Sequence, residues 1–163
     1  ATLAQVYGFV QPLIKRGVPV QPVQLEYVAR PGFLDGLRVL LLSYEGQKPL
    51  SRDVHAALAA WVRAGGVLVM ADDDRDPYHH VREWWNDFGR NQRLAREDLF
   101  AQLGITEDQL DHAPGGFVAV GRGAVRWVRE SPTTFTATWS GALQLAALAR
   151  AAAPVRLPAS TFC

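Results

Sequence analysis

The sequence predicts an α/β domain on a mostly parallel sheet, and three observations carry that expectation. Two short continuous apolar runs, Leu37-Arg38-Val39-Leu40-Leu41-Leu42-Ser43 and Val67-Leu68-Val69-Met70-Ala71, have the character of strands covered on both faces. Between them lies a helical pattern, so strand, helix and strand follow within about 35 residues, the span of a βαβ crossover with parallel strands. The third is size and composition. At 163 residues, 48% hydrophobic and 20% charged, the chain has one domain's length and enough apolar side chain for a sizeable core, which excludes disorder.

The elements follow in order. Leu3, Val6, Tyr7, Val10, Leu13 and Ile14 recur at helical spacing, which predicts a helix over 2–16, with Pro12 as a potential kink and Gly17 ending it. The stretch 18–28 alternates like a strand, but Pro19 and Pro22 push it to a sheet edge or a loop. Ser51 is placed to cap a helix over 52–64 whose apolar face carries Val54, Leu58, Trp61 and Val62, and Gly65-Gly66 ends it. Beyond the second strand the chain turns polar. Helical patterns are predicted near 78–88 and 95–103, a turn-rich stretch at 111–116, and a hairpin of Phe117–Val120 with Ala124–Val128 around Gly121-Arg122-Gly123. An alanine-rich helix over 138–153 closes the pattern. The sum is a three-layer fold, helices on both faces of the sheet, with an antiparallel C-terminal element. In such sheets ligands bind outside the carboxyl ends of the strands, which singles out Ser43–Lys48 and Ala71–His80.

Charge and cysteine count narrow the chemistry. Seventeen Lys+Arg against sixteen Asp+Glu leave a formal charge of +1, which argues against nucleic acid or a membrane surface as an electrostatic partner. No apolar run approaches the roughly 18 residues a membrane span needs. The single cysteine, Cys163, excludes an internal disulfide framework and a Cys-rich zinc site, and leaves no interior thiol as nucleophile. The bare ends, Ala1 and Ser160-Thr161-Phe162-Cys163, read as those of a segment from a longer polypeptide, a mature processed chain being the competing explanation. The compartment stays open.

The acidic turn is the richest stretch. Asp72, Asp73, Asp74 and Asp76 place four carboxylates within five residues, followed by His79 and His80. Carboxylates at a strand end can hold a hard cation and imidazole a softer one, with Asp72, Asp74 and His79 as candidate ligands. Two of the acids can also form an acid/base pair where their surroundings differ. The plainer reading of the same residues is a solvated turn, with Asp72 or Asp74 as its cap and Asp76-Pro77 opening the next helix. Tyr78, Trp84 and Trp85 add rings of the kind that stack on sugars, although neighbouring Trp84 and Trp85 sit about 100° apart on a helix, so one belongs to the core and the other to a ligand or partner. Burial of both at an interface is the other reading. Arg90, Arg93 and Arg96 are placed to pair with the acids of 72–87 as a polar lid, and His55 and His112 read as isolated surface or capping residues. No phosphate-binding glycine loop and no nucleophile elbow is present, and nothing calls for a cofactor.

Arg16-Gly17-Val18-Pro19-Val20, then Leu37–Leu42, then Trp61-Val62-Arg63-Ala64-Gly65-Gly66-Val67-Leu68-Val69 follow an order that resembles the class I glutamine-amidotransferase-like (flavodoxin-like) fold. Within it, the chain is most similar to the non-catalytic middle domain of bacterial glycoside hydrolases, the β-galactosidase trimerisation domain. Gly121-Arg122-Gly123-Ala124-Val125 resembles the glycine-bracketed strand that closes these domains. The likeness covers 1–72 well and 117–153 loosely, with 73–116 as an insertion in a single domain over 1–163. Catalytic members carry a cysteine on the turn after the strand matching Val67–Ala71, where this chain reads Met70-Ala71-Asp72-Asp73-Asp74. The resemblance therefore implies a non-catalytic accessory or interaction domain of a larger, carbohydrate-active protein, whose partners are neighbouring domains, further copies of the chain, or carbohydrate. The alternatives are a metal-dependent hydrolase or a carbohydrate-binding module centred on Asp72–His80.

Overall fold

The computed structural model describes residues 8–137 and 139–152. It is a mixed α/β structure with a four-stranded sheet. The strands are β1 (Val39–Leu42), β2 (Val67–Ala71), β3 (Val118–Val120) and β4 (Gly123–Val128), in the spatial order β1-β2-β4-β3. β1, β2 and β4 run parallel, with Val39 opposite Val67 and Val67 opposite Ala124, and β3 pairs antiparallel with β4. Helix α1 spans Val10–Ile14, α2 Arg52–Arg63, α3 Ala95–Leu103, α4 Glu107–Asp111, α5 Thr134–Ala137 and α6 Trp139–Ala152. Among the described residues no helix is long and apolar enough to cross a membrane.

β2 is buried at every position, as a central parallel strand must be. Its side chains alternate between two apolar clusters. Leu68 and Met70 join Leu40, Leu42, Val125 and Trp127 with Leu58 and Val62 of α2 and Leu99 and Phe100 of α3. Val67, Val69 and Ala71 join Val128 with Leu13 of α1, Phe135 of α5, and Leu145 and Leu148 of α6. The hairpin turn of β3 and β4 rests on the end of α2, where the Arg122 amide donates to the Arg63 carbonyl at 3.0 Å. A Cβ on Gly123 would strike the carbonyl oxygens of Val62 and Gly66, and one on Gly121, at φ +60°, would meet the Arg63 backbone at 2.8 Å. The glycine brackets of this strand answer a packing demand.

Several expectations are corrected. Residues 78–88 form no α-helix: a 3-10 turn over Pro77–His80 gives way to irregular chain. Side chains compete for its backbone, Asn86 Oδ1 accepting from the Glu83 amide and Asp87 Oδ1 from the Phe88 amide, with Phe88 at φ 51°. Of the two alternatives for 18–28, sheet edge or loop, the chain takes the loop, with a 3-10 turn at Leu25–Tyr27. Ser51 occupies the N-cap of α2 without a side-chain capping bond. A short helix, α4, with a Thr106–Gln109 capping box precedes the turn-rich stretch. Pro12 sits in the first turn of α1, where its missing N–H has no intrahelical partner to lose. The expected first helix over 2–7, and residues 138 and 153 of the last, lie outside the described residues.

Candidate functional site

Three loops leave the carboxyl ends of the parallel strands. The loop after β1 carries Tyr44, Glu45 and Lys48, the one after β2 carries the acidic turn, and the one after β4 carries Arg129 and Ser131. They are tied to one another. Ser131 donates to Glu45 Oε2 at 2.5 Å, and Lys48 Nζ and the Gly46 amide donate to Asp76 Oδ2 at 2.7 and 2.9 Å. Asp76 also accepts from the Tyr78 amide at 2.9 Å, capping a 3-10 turn where Asp76-Pro77 was expected to open a helix.

The centre of the acidic turn is a fully buried guanidinium that the sequence placed only loosely. Arg96, on the first turn of α3, lies 3.6 Å from Asp72 Oδ2 through Nη1, 2.6 Å from Asp74 Oδ1 through Nη2 and 3.3 Å from Glu107 through Nε. Its charge also lies over the Trp127 ring at 4.6 Å. Arg93 reaches Asp74 only at 4.0 Å, and Arg90 turns instead to Asp98 at 3.9 Å. Of the three arginines expected to form a lid, Arg96 carries the pairing.

Each residue singled out by sequence now has a place. Asp72 is buried, and its carboxylate is held by proximity to Arg96 and to His79 Nε2 at 2.9 Å, without a well-directed hydrogen bond. Asp73 accepts from the Arg75 amide and side chain. Asp74 is half exposed on the outer side of Arg96. His79 is buried, its Nε2 2.9 Å from the Asp73 carbonyl, while His80 is exposed. Tyr78 is 63% exposed. Trp85 is fully buried in the core and presents nothing to a ligand. Trp84 is half-buried, packs edge-on against Trp85 at 5.6 Å, and spends its indole N–H on the Pro49 carbonyl. The sugar-stacking face expected of these rings is left to exposed Tyr78 and the exposed part of Trp84.

Electrostatics follows the pairing. Burial raises the carboxyl of Asp76, but hydrogen bonds from Lys48, Gly46 and Tyr78 outweigh it and hold the group at about 2. Asp73 and Asp74 are likewise lowered against burial, by Arg75 and by Arg96. Glu45 moves the other way: burial raises it, and the charges of Asp73, Asp72 and Asp76 add to that against the Ser131 hydrogen bond. Among the described residues no three His, Cys, Asp or Glu side chains gather in a way that could hold a metal ion. Asp72 and Asp74 meet at Arg96, and the guanidinium supplies the positive charge that a cation would bring.

A second buried polar group was missed. Tyr44 Oη lies 2.7 Å from His55 Nε2, and His55 Nδ1 lies 2.8 Å from Asp98 Oδ2. Tyr44 and His55 have no exposure, and Asp98 has 1%. His55 is thus no surface residue, whereas His112 is exposed and bonds the Asp108 carbonyl, as a capping residue does. The signal was present: His55 precedes Leu58, Ala59 and Val62 at three-, four- and seven-residue spacing, which puts it on the inward face of α2.

Compared with known protein families, curated proteins and solved structures, the chain matches none.

Proposed function

We propose that the chain is a non-catalytic accessory and interaction domain of a larger, carbohydrate-active protein, with an amidotransferase-like three-layer fold over 1–163. The observation that carries this reading is that the four aspartates of the acidic turn are committed to the chain's own cations. Asp72 and Asp74 belong to Arg96, Asp73 to Arg75, and Asp76 to Lys48. At the turn after β2, where the resembling enzymes hold a cysteine nucleophile, this chain holds buried Asp72 against a guanidinium. A carboxylate so placed is no substitute for a thiolate nucleophile. The two apolar clusters on alternate side chains of β2 support the three layers, and the β3–β4 hairpin supports the antiparallel C-terminal element.

Contact in this reading comes from apolar side chains left in solvent. Trp139 and Leu143 of α6 are 76% and 49% exposed, and Ile14 of α1 is 56% exposed. The Arg16 guanidinium lies over the Trp139 ring at 4.9 Å, and both residue types are enriched at interfaces. Light scattering on the eluting chain, wild type against Trp139→Glu, tests the reading. Self-association lost in the variant supports it. A monomer at every concentration removes the homo-oligomer and leaves neighbouring domains as partners, and turnover of any glycoside by the isolated chain overturns the non-catalytic assignment.

A further inference from the structure

The buried line Tyr44–His55–Asp98 joins three parts of the molecule: the loop after β1, helix α2 and helix α3. Counting donors and acceptors fixes its protonation. Asp98 already accepts from Arg52 Nε at 3.1 Å and Gln102 Nε2 at 2.7 Å. With His55 neutral and its proton on Nδ1, that N–H donates to Asp98 and the Tyr44 hydroxyl donates to Nε2. Every donor then has an acceptor. A second proton on the ring makes Nε2 a donor too, and the Tyr44 oxygen must accept it. The hydroxyl hydrogen is left without an acceptor on a side chain that has no exposure at all.

We infer that Tyr44–His55–Asp98 is an acid-sensitive clasp that holds the loop after β1, and that protonation of His55 releases it. The loop matters because several of its other anchors sit at the strand ends. Lys48 Nζ donates to the Tyr44 carbonyl and to Asp76, and Glu45 accepts from Ser131. Loss of the Tyr44 anchor therefore loosens the contacts between all three strand-end loops. The charged and titratable groups facing the clasp are Arg52 from α2, Asp98 from α3, Arg90 from the segment before α3, Lys48 from the loop itself and Asp72 from the loop after β2. Trp84 closes the remaining side, edge-on to the His55 ring at 5.2 Å. Burial lowers the proton affinity of His55, against the hydrogen bond and charge of Asp98. A histidine lowered in this way favours the neutral form when folded, so stability is lost as pH falls below its unfolded value.

The test follows the four histidine rings by NMR between pH 8 and 4, together with amide exchange of residues 44–48 normalised to intrinsic rates. His55 stays neutral through the pH at which exposed His112, raised by its bond to the Asp108 carbonyl, takes its proton, and protection of 44–48 falls about tenfold at the pH where His55 finally takes one. In His55→Gln the normalised protection is flat over that range. The inference is overturned if His55 titrates alongside His112 with protection unchanged, or if the loop opens equally in His55→Gln. Should that variant fail to fold, the wild-type comparison decides alone: opening at a pH where His55 has not titrated refutes the clasp. Protonation of Asp76, held at about 2, lies below the range, and opening driven by Glu45, whose carboxyl burial raises, would persist in His55→Gln and so be told apart.

Discussion

Replacing Asp76 by Asn removes a charge without changing shape, and its consequence can be worked from the structure. The Asp76 side chain is 4% exposed and takes hydrogen bonds from Lys48 Nζ, the Gly46 amide and the Tyr78 amide. Together they hold its carboxyl at about 2, against roughly 3.9 in an unfolded chain. Each factor of ten in proton affinity is worth about 1.4 kcal/mol, so the folded state gains at most roughly 2.5 kcal/mol from this group. Asn keeps part of the amide bonding, which brings the expected loss to about 1–2 kcal/mol. The sign is fixed by the lowered value: the stabilisation is complete above the unfolded value and disappears as pH falls through it towards 2. Urea unfolding of wild type and Asp76→Asn at pH 7 and at pH 2.5 reads this directly. At pH 7 the variant's midpoint falls by about 0.5–1 M, given a slope of about 2 kcal/mol per molar urea. At pH 2.5 the two midpoints converge, because most of the difference is gone. A gap that is the same at both pH values refutes the electrostatic account and assigns the loss to shape alone.

Other outcomes follow from the same contacts. Arg96→Met leaves Asp72 buried without its counter-charge and lowers stability by about 3–5 kcal/mol in thermal or urea melts. Arg96→Lys recovers less than half of that, since one ammonium cannot meet Asp72, Asp74 and Glu107 together, and full recovery would dismiss the hub. Calcium, magnesium or zinc at millimolar concentration leaves the melting temperature within about a degree, because Arg96 holds the acids; a rise of several degrees, lost in Asp74→Asn, would place a metal there. Gly123→Ala forces a methyl group onto the Val62 and Gly66 carbonyls and lowers stability by about 2 kcal/mol or more, whereas equal stability would mean that the hairpin can shift off α2.

The sheet was legible because its strands are short apolar runs. Val67–Ala71 is read from sequence with the same bounds as β2, and the 117–128 hairpin to within one residue, since continuous β-branched apolar stretches between glycines leave few alternatives. The stretch 78–88 misled because Tyr78, Trp84, Trp85 and Phe88 mimic a helical stripe. Its path is set by Asn86 and Asp87 bonding nearby backbone and by Trp85 entering the core. The acidic turn was visible, and so was the pairing of Arg96 with it, but the depth of that pairing was not. Burial of an arginine depends on Trp127 and Glu107, which lie far along the chain. The Tyr44–His55–Asp98 line was hidden for the same reason: its members are 11 and 43 residues apart, and only the packing of α2 between β1 and α3 brings them together.

The pairing of β2 with β4 has a further consequence for how the chain can change length. Val39 meets Val67 after 28 residues, and Val67 meets Ala124 after 57, as the difference of their numbers shows. Loop-closure entropy grows only logarithmically, so doubling the excursion costs about 0.6 kcal/mol, less than one good hydrogen bond. The long detour between neighbouring strands is therefore nearly neutral for the sheet, and its length is free to drift. What is not free is its conformation at one point, where Arg96 must return to the mouth of β2 to neutralise Asp72. Insertions and deletions on either side of that arginine are expected to be absorbed, while a shift in its own position is not.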